Sequence, residues 1–353
     1  MPIPTPTPEP FAEVLSVSSA LAPAVPQGDV AAAVERRFPD APPRHLAMFA
    51  NAGITTRRLV REPQWYVAPD TLAERAGLAV VEGTRLATEA AAAALGSAGR
   101  VPTDVDAVVV ATSTVVRSPG LDVAVAEALG LRSDVRRVPL GSMASLGGAN
   151  ALAVGADLVA AGHRCVLVVV VEVNSLTYVP GDGAPGELAT LALFSDGAAA
   201  AVLGAPGVGG LLGVVGSHAE VVPDTLGVMG FDLGDDGLRW RLAPDVPDVA
   251  ARHVRASVDA AAAAVGWDLA SVDHLLVHPG GVRVLDAVVG ALGVDPVRLA
   301  PSLAVLDECG NLSGPTVLVV LERHLAAGPP PGRALLVAMG PGFGFEHVAL
   351  VPR

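Results

Sequence analysis

The sequence has few aromatic residues, few charges and little basic charge. Aromatic residues make up 3% of its 353 positions and charged residues 17%, whereas hydrophobic residues make up 51%. We therefore expect a large core built mainly from Ala, Val and Leu. The net charge of −13 argues against nucleic acid or an anionic membrane as a partner, because either would require a basic face on the protein.

Cysteine, long apolar runs and signal-peptide features are also scarce or missing. The two cysteines, Cys165 and Cys309, are too few for a disulfide framework, which favours a cytoplasmic protein. No apolar run reaches the ~18 residues that would span a bilayer. Residues 1–10 are rich in proline and have no basic segment, so we expect a flexible leader there rather than a signal peptide.

Strand-like and helix-like segments alternate along the whole chain. The patterns predict helices at residues 72–95, 121–129, 149–161, 246–265, 282–292 and 313–325. They predict strands at residues 105–112, 137–140, 165–171, 210–217, 274–277, 334–339 and, as an edge strand, 345–351, while residues 189–203 combine a helix or turn with a strand. This alternation indicates an α/β protein with largely parallel sheets. Two similar halves, residues 1–205 and 206–353, suggest an internal duplication.

Two short segments near the C-terminal end place a polar side chain where an apolar run meets a glycine-bearing turn. They are residues 276–281, LVHPGG, and residues 308–311, ECGN. His278 and Asn311 in these segments can converge on one buried pocket and donate hydrogen bonds to a carbonyl oxygen, which is the equipment for acyl chemistry. The alternatives are a buried structural histidine and a helix-capping asparagine.

A third segment, residues 141–148, is a candidate site for the nucleophile and reads GSMASLGG. It lies between a predicted strand and a predicted buried helix, and a strand–turn–helix junction of small residues has the geometry of a nucleophile elbow. The dipole of the following helix also favours an anion at this position. Ser145 is the best-placed hydroxyl, although by itself it is more simply explained as a capping or packing serine.

Together with several other segments, these three resemble the type III polyketide synthases, the chalcone synthase-like branch of the thiolase fold. The resemblance covers roughly residues 40–350, and its further segments are residues 172–178 (EVNSLTY), 192–199 (ALFSDGAA), 227–232 (GVMGFD), 237–240 (GLRW) and 340–343 (GPGF). It implies an α/β thiolase fold with duplicated βαβαβαββ halves in a layered α-β-α-β-α arrangement, and a homodimer.

The family uses a Cys-His-Asn triad, and the resemblance matches His278 and Asn311 to its His and Asn. Ser145 aligns with the catalytic cysteine, so the resemblance implies a triad with serine as nucleophile. A serine hydroxyl is a far weaker acid than a thiol of pKa ~8.5 and needs His278 as a general base. An oxyester is also a poorer electrophile than a thioester. We therefore expect chain elongation to be slow or absent. Malonyl-CoA decarboxylation, or acyl transfer to oxygen, nitrogen or water, would require less reactivity from Ser145.

The serine is either native or an engineered replacement that traps a bound substrate. Other departures from the family pattern favour a native serine. Ala144 stands where glycine is usual, Ser195 replaces another glycine, and residues 117–119, RSP, replace the Met-Pro that the family directs toward the partner subunit's cavity. A single engineered Cys-to-Ser substitution would not produce these other departures.

Residues 55–61, TTRRLVR, form the densest basic segment of this acidic chain. They match the region where the family binds coenzyme A, so Arg57, Arg58 and Arg61 are predicted to contact its phosphates. A solvated loop is the alternative for this segment.

The resemblance also implies which residues shape the pocket. Tyr178 and Trp240 take the places of two aromatic residues at the pocket entrance, with plain core packing as the alternative. The glycine-rich loop that shapes the family's cyclisation cavity corresponds to Gly340, Pro341, Gly342 and Phe343, and a tight hairpin turn is the alternative for these residues.

The leading hypothesis is a homodimeric, cytoplasmic acyltransferase that acts on acyl-CoA or malonyl-CoA and holds no metal and no permanently bound cofactor. A Ser-His-Asn hydrolase or an O- or N-acyltransferase on the same fold is one alternative. A non-catalytic partner subunit of a true synthase is another. The presence of His278, Asn311 and the basic segment speaks against the last, because a pure scaffold would not need them.

Overall fold

The computed structural model describes residues 8–68, 71–179, 181, 183–326, 328 and 331–353. Residues 1–7 of the predicted leader lie outside the described residues. In the described part of the chain, no helix combines the length and the apolar character that crossing a membrane requires.

Strands and helices alternate as the sequence predicts. The described strands are β1 Ala12–Leu21, β2 Ala24–Pro26, β3 Thr56–Arg58, β4 Ala107–Thr112, β5 Arg136–Gly141, β6 Cys165–Val173, β7 Asp196–Gly204, β8 Leu212–Val221, β9 Met229–Gly234, β10 Gly237–Leu242, β11 His274–Val277, β12 Ala334–Gly340 and β13 Gly344–Pro352. The described α-helices are α1 Gln27–Arg37, α2 Pro43–Ala50, α3 Pro63–Val67, α4 Leu72–Ser97, α5 Leu121–Leu129, α6 Gly147–Ala160, α7 Pro185–Leu193, α8 Val246–Ala264, α9 Val282–Leu292, α10 Ala300–Cys309 and α11 Pro315–Leu325.

Nine of these strands form one sheet in the order β11-β12-β13-β8-β1-β7-β6-β4-β5. In the first half of the chain, β4 is parallel to β5 and β6, and β7 and β1 follow as antiparallel strands. The second half repeats this order, because β11 is parallel to β12, and β13 and β8 follow as antiparallel strands. A short pairing between β1 and β8 joins the two half-sheets.

Three layers of helices separate and cover the half-sheets. Helices α6 and α11 share one hydrophobic core with the inner faces of both half-sheets. Helices α4 and α5 cover the outer face of the first half-sheet, and α8 and α9 cover that of the second. Strand β6 is buried on both faces, which explains its uninterrupted apolar sequence. The α-β-α-β-α layering implied by the family resemblance is therefore confirmed.

Most predicted element bounds agree with the structure to within a few residues, and α5, α9 and β11 match end to end. The prediction of an edge strand at residues 345–351 is wrong. Strand β13 pairs with β12 on one side and with β8 on the other, and its apolar residues on both faces are those of a central strand. The domain boundary near residue 205 stays a prediction.

The close approach of α6 and α11 can be tested at Gly148. A Cβ atom at this position would lie 2.3 Å from the Gly314 carbonyl oxygen and 2.7 Å from Val317 Cγ1. We expect Gly148→Ala to lower the free energy of unfolding by about 1–3 kcal/mol or more, because the backbone at the start of α11 must shift. Urea denaturation measures the change.

Gly77→Ala in α4 is the matched control, because a Cβ at Gly77 would meet nothing within 4 Å. This variant should gain about 0.5–1 kcal/mol from its higher helix propensity. Equal stability of the two variants would contradict the proposed packing of α6 on α11.

Candidate active site

The candidate site lies where the first turns of α6 and α11 meet. A 3-10 turn, Ala144–Leu146, follows β5 and leads into α6. Asn311 precedes α11, and His278 directly follows β11. Because α6 and α11 touch at Gly148 and Gly314, the turn of the first half lies beside the Asn segment of the second.

Asn311 is held by both its backbone and its side chain. Its N–H donates to the Leu193 carbonyl at 2.9 Å, and its carbonyl accepts from the Ser195 N–H at 2.8 Å. Its Oδ1 accepts from the Ser313 N–H at 2.7 Å, and its Nδ2 donates to the Gly280 carbonyl at 3.3 Å. These contacts fix which way the amide points and turn its donor toward the loop that follows His278.

His278 is buried, with 1% of its surface exposed. Its backbone N–H donates to the Val337 carbonyl at 2.7 Å, but neither ring nitrogen has a hydrogen-bond partner among the described residues. Burial lowers the pKa of the imidazole to about 4, so the ring is neutral at neutral pH. Buried polar atoms in native proteins are nearly always paired, and an unpaired imidazole is therefore expected where a ligand supplies the partner.

Ser145 is half-buried, and its Oγ lies 3.5 Å from the Oγ of Ser313. Ser313 in turn donates its N–H to Asn311, so the structure brings Ser145 and Asn311 together through Ser313. A hydrogen bond from Ser145 to His278 is not formed, because both ring nitrogens of His278 are unpartnered. Catalytic hydrogen bonds are often long without substrate, and the role of Ser145 as nucleophile stays a prediction.

The turn before α6 is tied to β4 and β6 by buried polar groups that the sequence analysis missed. The Ser113 Oγ accepts from the Ala144 N–H at 2.7 Å. The Glu172 carboxyl group accepts from the N–H groups of Ser113 and Thr114, each at 3.0 Å. Burial raises the pKa of Glu172 to about 7 despite these hydrogen bonds. The signal that could have revealed this network is the polar pair that follows β4, beside the end of its parallel neighbour β5.

The glycine-rich loop packs against the same turn. A Cβ atom on Gly340 would lie 2.9 Å from Leu146 Cγ and 3.5 Å from Ser145 Cβ, so this contact requires glycine. Pro341 and Gly342 follow as half-buried residues of the β12–β13 turn. Phe343 is fully buried in the hydrophobic core of the second half. The Phe343 ring therefore packs in this core, and the role of the loop in shaping a pocket stays a prediction.

Tyr178 and Trp240 line one cavity of about 580 Å³ between the β9–β10 hairpin and α7. Trp240 Nε1 donates to Thr177 Oγ1 at 2.9 Å, and its ring lies 5.1 Å from that of Phe194. Phe194 forms a backbone bridge with Asn311. Phe194 therefore connects Trp240 to the Asn311 segment, although none of Ser145, His278 and Asn311 lines the cavity, and its use as a substrate pocket stays a prediction.

The basic segment divides into a buried and an exposed part. Arg57 is fully buried, and its guanidinium donates to Ser195 Oγ at 3.1 Å and to the Leu191 carbonyl at 2.6 Å. The Arg57 side chain is enclosed in the protein, which does not favour a contact with a CoA phosphate, and its predicted contact stays untested. Arg58 is half-buried and Arg61 is exposed, and their predicted phosphate contacts stay untested.

The two cysteines offer no substitute nucleophile. Both are buried, and burial raises the pKa of the Cys165 thiol to about 11 and also raises that of Cys309. A thiol needs a lowered pKa to serve as a nucleophile at neutral pH.

Two family models match successive parts of the chain. The N-terminal domain of chalcone and stilbene synthases matches residues 53–207, and the C-terminal domain matches residues 213–352. A 1,3,6,8-tetrahydroxynaphthalene synthase from Streptomyces peucetius is 34% identical over 312 residues, which cover 86% of this chain and 82% of that protein. A putative chalcone synthase from Bacillus subtilis is 27% identical over 318 residues, which cover 86% of this chain and 87% of that protein.

Solved structures show the same relationship. The crystal structure of 1,3,6,8-tetrahydroxynaphthalene synthase from Streptomyces coelicolor, a bacterial type III polyketide synthase, superposes with a TM-score of 0.92 at 27% identity and covers 97% of this chain and 99% of that chain. A fungal type III polyketide synthase superposes with a TM-score of 0.87 at 26% identity and covers 97% of this chain and 100% of that chain. The chain therefore belongs to the chalcone and stilbene synthase family, the type III polyketide synthases.

Proposed function

We propose that this protein acts on malonyl-CoA and related acyl-CoA thioesters, and that His278 and Asn311 hold the thioester carbonyl group. One observation carries the proposal. A buried, neutral imidazole without a hydrogen-bond partner in the described part of the chain belongs to the same site as an amide whose orientation is fixed by Gly280 and Ser313. Such preorganised donors stabilise negative charge that develops on a carbonyl oxygen.

Decarboxylation of malonyl-CoA is the reaction that this pair supports most directly. The bond between C2 and the carboxylate breaks, CO₂ leaves, and the electron pair moves into an enolate whose oxygen accepts hydrogen bonds from His278 and Asn311. The enolate carbon then takes a proton from water, which gives acetyl-CoA, or attacks the carbonyl carbon of a second acyl thioester. In the second case the carbon–sulfur bond of that thioester breaks, coenzyme A leaves as the thiolate, and the chain is lengthened. A site from which water is largely excluded strengthens both hydrogen bonds.

Two arginines and one cavity are the proposed contacts for the rest of the substrate. Arg61 is exposed and Arg58 is half-buried, so both remain available for the phosphates of coenzyme A. The cavity beside Tyr178 and Trp240 is the proposed space for the acyl group. A homodimer and a cytoplasmic location stay predictions.

Covalent transfer through Ser145 is the second candidate. The observation that favours it is the hydrogen-bonded connection from Ser145 through Ser313 to Asn311, at the start of a helix whose dipole favours an anion. This route would form an oxyester and make the protein a hydrolase or an O- or N-acyltransferase. Intact-mass analysis after incubation with acyl-CoA separates the two candidates, because an acyl adduct that is lost in Ser145→Ala appears only with the covalent route.

Removal of either donor should slow decarboxylation strongly. We expect His278→Ala and Asn311→Asp each to lower the rate of CO₂ and acetyl-CoA release from malonyl-CoA about 10²–10³-fold, as loss of a donor to a developing oxyanion does in other enzymes. Asn311→Asp keeps the Oδ1 that Ser313 contacts and removes the N–H donor. The rate is measured with carboxyl-labelled malonyl-CoA.

His163→Ala is the matched control, because His163 is half-buried and follows the far end of α6. Its rate should stay within about twofold of the unmodified protein. A His278→Ala variant as active as the control would exclude the proposed role. If the unmodified protein releases neither CO₂ nor CoA from any acyl-CoA, the non-catalytic partner subunit is the better account.

The buried imidazole also predicts a pH dependence of stability. The pKa of His278 is about 4 in the folded state against 6.5 as its ordinary value, so below pH 6.5 the unfolded chain takes up a proton that the folded chain does not. Folding stability that depends on His278 is therefore present above pH 6.5 and is lost as the pH falls toward 4. Relative to His278→Gln, the unmodified protein should lose about 2–3 kcal/mol of unfolding free energy between pH 7 and pH 4.5.

The comparison with His278→Gln isolates this residue, because other buried groups, including His347, titrate in both proteins. Urea denaturation at the two pH values gives the difference. A difference in stability that does not change with pH would show that the imidazole is solvated or already paired.

A further inference from the structure

Backbone strain in this protein gathers around the candidate site. Five described residues other than glycine have positive φ, and four of them lie in the turn before α6, in the Asn311 segment and in the glycine-rich loop. These four are Ser142, Ala144, Ser313 and Phe343. Such conformations persist only where the surrounding structure enforces them, and they concentrate at functional sites.

Ala144 is the strained residue at the junction of strand and helix. Its φ is +42°, it is 2% exposed, and it begins the 3-10 turn that leads into α6. In a nucleophile elbow, the residue on the sharp, strained strand-to-helix turn is the one that carries the attacking atom. Ser145 has no positive φ and occupies the next position.

The protein fixes Ala144 from both sides. The Ala144 N–H donates to Ser113 Oγ at 2.7 Å, and the Ser113 backbone is held by the buried Glu172. The Ala144 carbonyl oxygen lies 2.9 Å from the position of a Cβ on Gly314, so its other side is fixed by the segment that carries Asn311. An alanine methyl group gives no reason for the protein to hold the backbone at this position so firmly.

Ser145 and His278 are also not paired as a nucleophile and its base would be. Ser145 Oγ contacts Ser313, while both nitrogens of the fully buried His278 ring are unpartnered. A serine nucleophile depends on a base within hydrogen-bond reach. Ala144, whose backbone is held in place, therefore carries no nucleophilic atom, and the hydroxyl of the neighbouring Ser145 contacts Ser313 instead of His278.

We propose that Ala144, and not Ser145, occupies the nucleophile position of this site, so that the chain holds a thioester through His278 and Asn311 without forming a covalent acyl-enzyme. This inference rests on the proposed function for its substrate, but the assignment of the position does not. It favours decarboxylation over covalent transfer, because the acyl group remains bonded to the sulfur of coenzyme A throughout.

A pair of neighbouring cysteine variants tests the assignment. Ala144→Cys and Ser145→Cys each add one thiol, and the buried Cys165 and Cys309 are present in both as references. The pKa of each new thiol is measured from the ultraviolet absorbance of the thiolate as a function of pH. We expect a pKa at least ~1 unit below 8.5 for Ala144→Cys, because the helix N-terminus at this position stabilises a thiolate, and a value near 8.5 for Ser145→Cys.

Incubation with acetyl-CoA followed by intact-mass analysis provides the second readout. The thiolate of Ala144→Cys should attack the acetyl carbonyl, the carbon–sulfur bond to coenzyme A should break, and coenzyme A should leave with a proton from water. One acetyl group should then map to position 144 and none to position 145. A lowered thiol pKa without acetylation would uphold the assignment and count against the proposed substrate.

The opposite pattern would overturn the proposal. If Ser145→Cys shows the lowered pKa and becomes acetylated, Ser145 is the nucleophile position. Ser145→Cys decides the question even where Ala144→Cys does not fold, because it exchanges a single atom at a half-buried position. An ordinary thiol pKa and no adduct in Ser145→Cys then support the proposal. An ordinary thiol pKa in a folded Ala144→Cys would overturn it.

Discussion

The contact between α6 and α11 determines where the functional groups of this protein lie. Each helix belongs to one half of the duplicated fold, and both are enclosed between the two half-sheets. Because Gly148 has no side chain, the Gly314 carbonyl lies where its Cβ would be, and the first turns of the two helices can meet. The junction after β5 thereby comes to lie beside the segment that carries Asn311. A side chain at this contact would separate the two halves of the site.

The site combines several costs that a stable core would avoid. The His278 ring is buried with no partner among the residues that the structure describes, Glu172 is buried with a raised pKa, and Ala144 has a strained backbone. Burial of an unpaired polar group costs about 1–3 kcal/mol, and strained residues cost a similar amount. The large apolar core between and around the half-sheets offsets these terms. Their concentration at one junction is best explained by binding of a polar group, and a thioester carbonyl fits the donors present.

The fold could be predicted from the sequence, and two residues of the candidate site could be proposed from it, because those features have local patterns. The alternation of apolar strands and alanine-rich helices gave element bounds close to those observed, and glycine-bearing turns marked His278 and Asn311. The prediction of β13 as an edge strand was wrong, since the position of a strand near the end of the chain does not show which strands pair with it. Sequence reasoning did not foresee the burial of Arg57, since a basic cluster does not show which of its members is enclosed. Ser113 and Ser313 were missed because their contacts join segments far apart in sequence, and the strain at Ala144 has no sequence signature.

The central claim is that His278 and Asn311 bind a thioester carbonyl oxygen. A crystal structure with acetyl-CoA tests it most directly, because this substrate has no carboxylate to lose. The account predicts that the thioester oxygen lies about 2.7–3.1 Å from one ring nitrogen of His278 and from Nδ2 of Asn311, with the acetyl group still bonded to the sulfur of coenzyme A. A carbonyl group that points away from both residues, or an acetyl group attached to Ser145, would contradict the account.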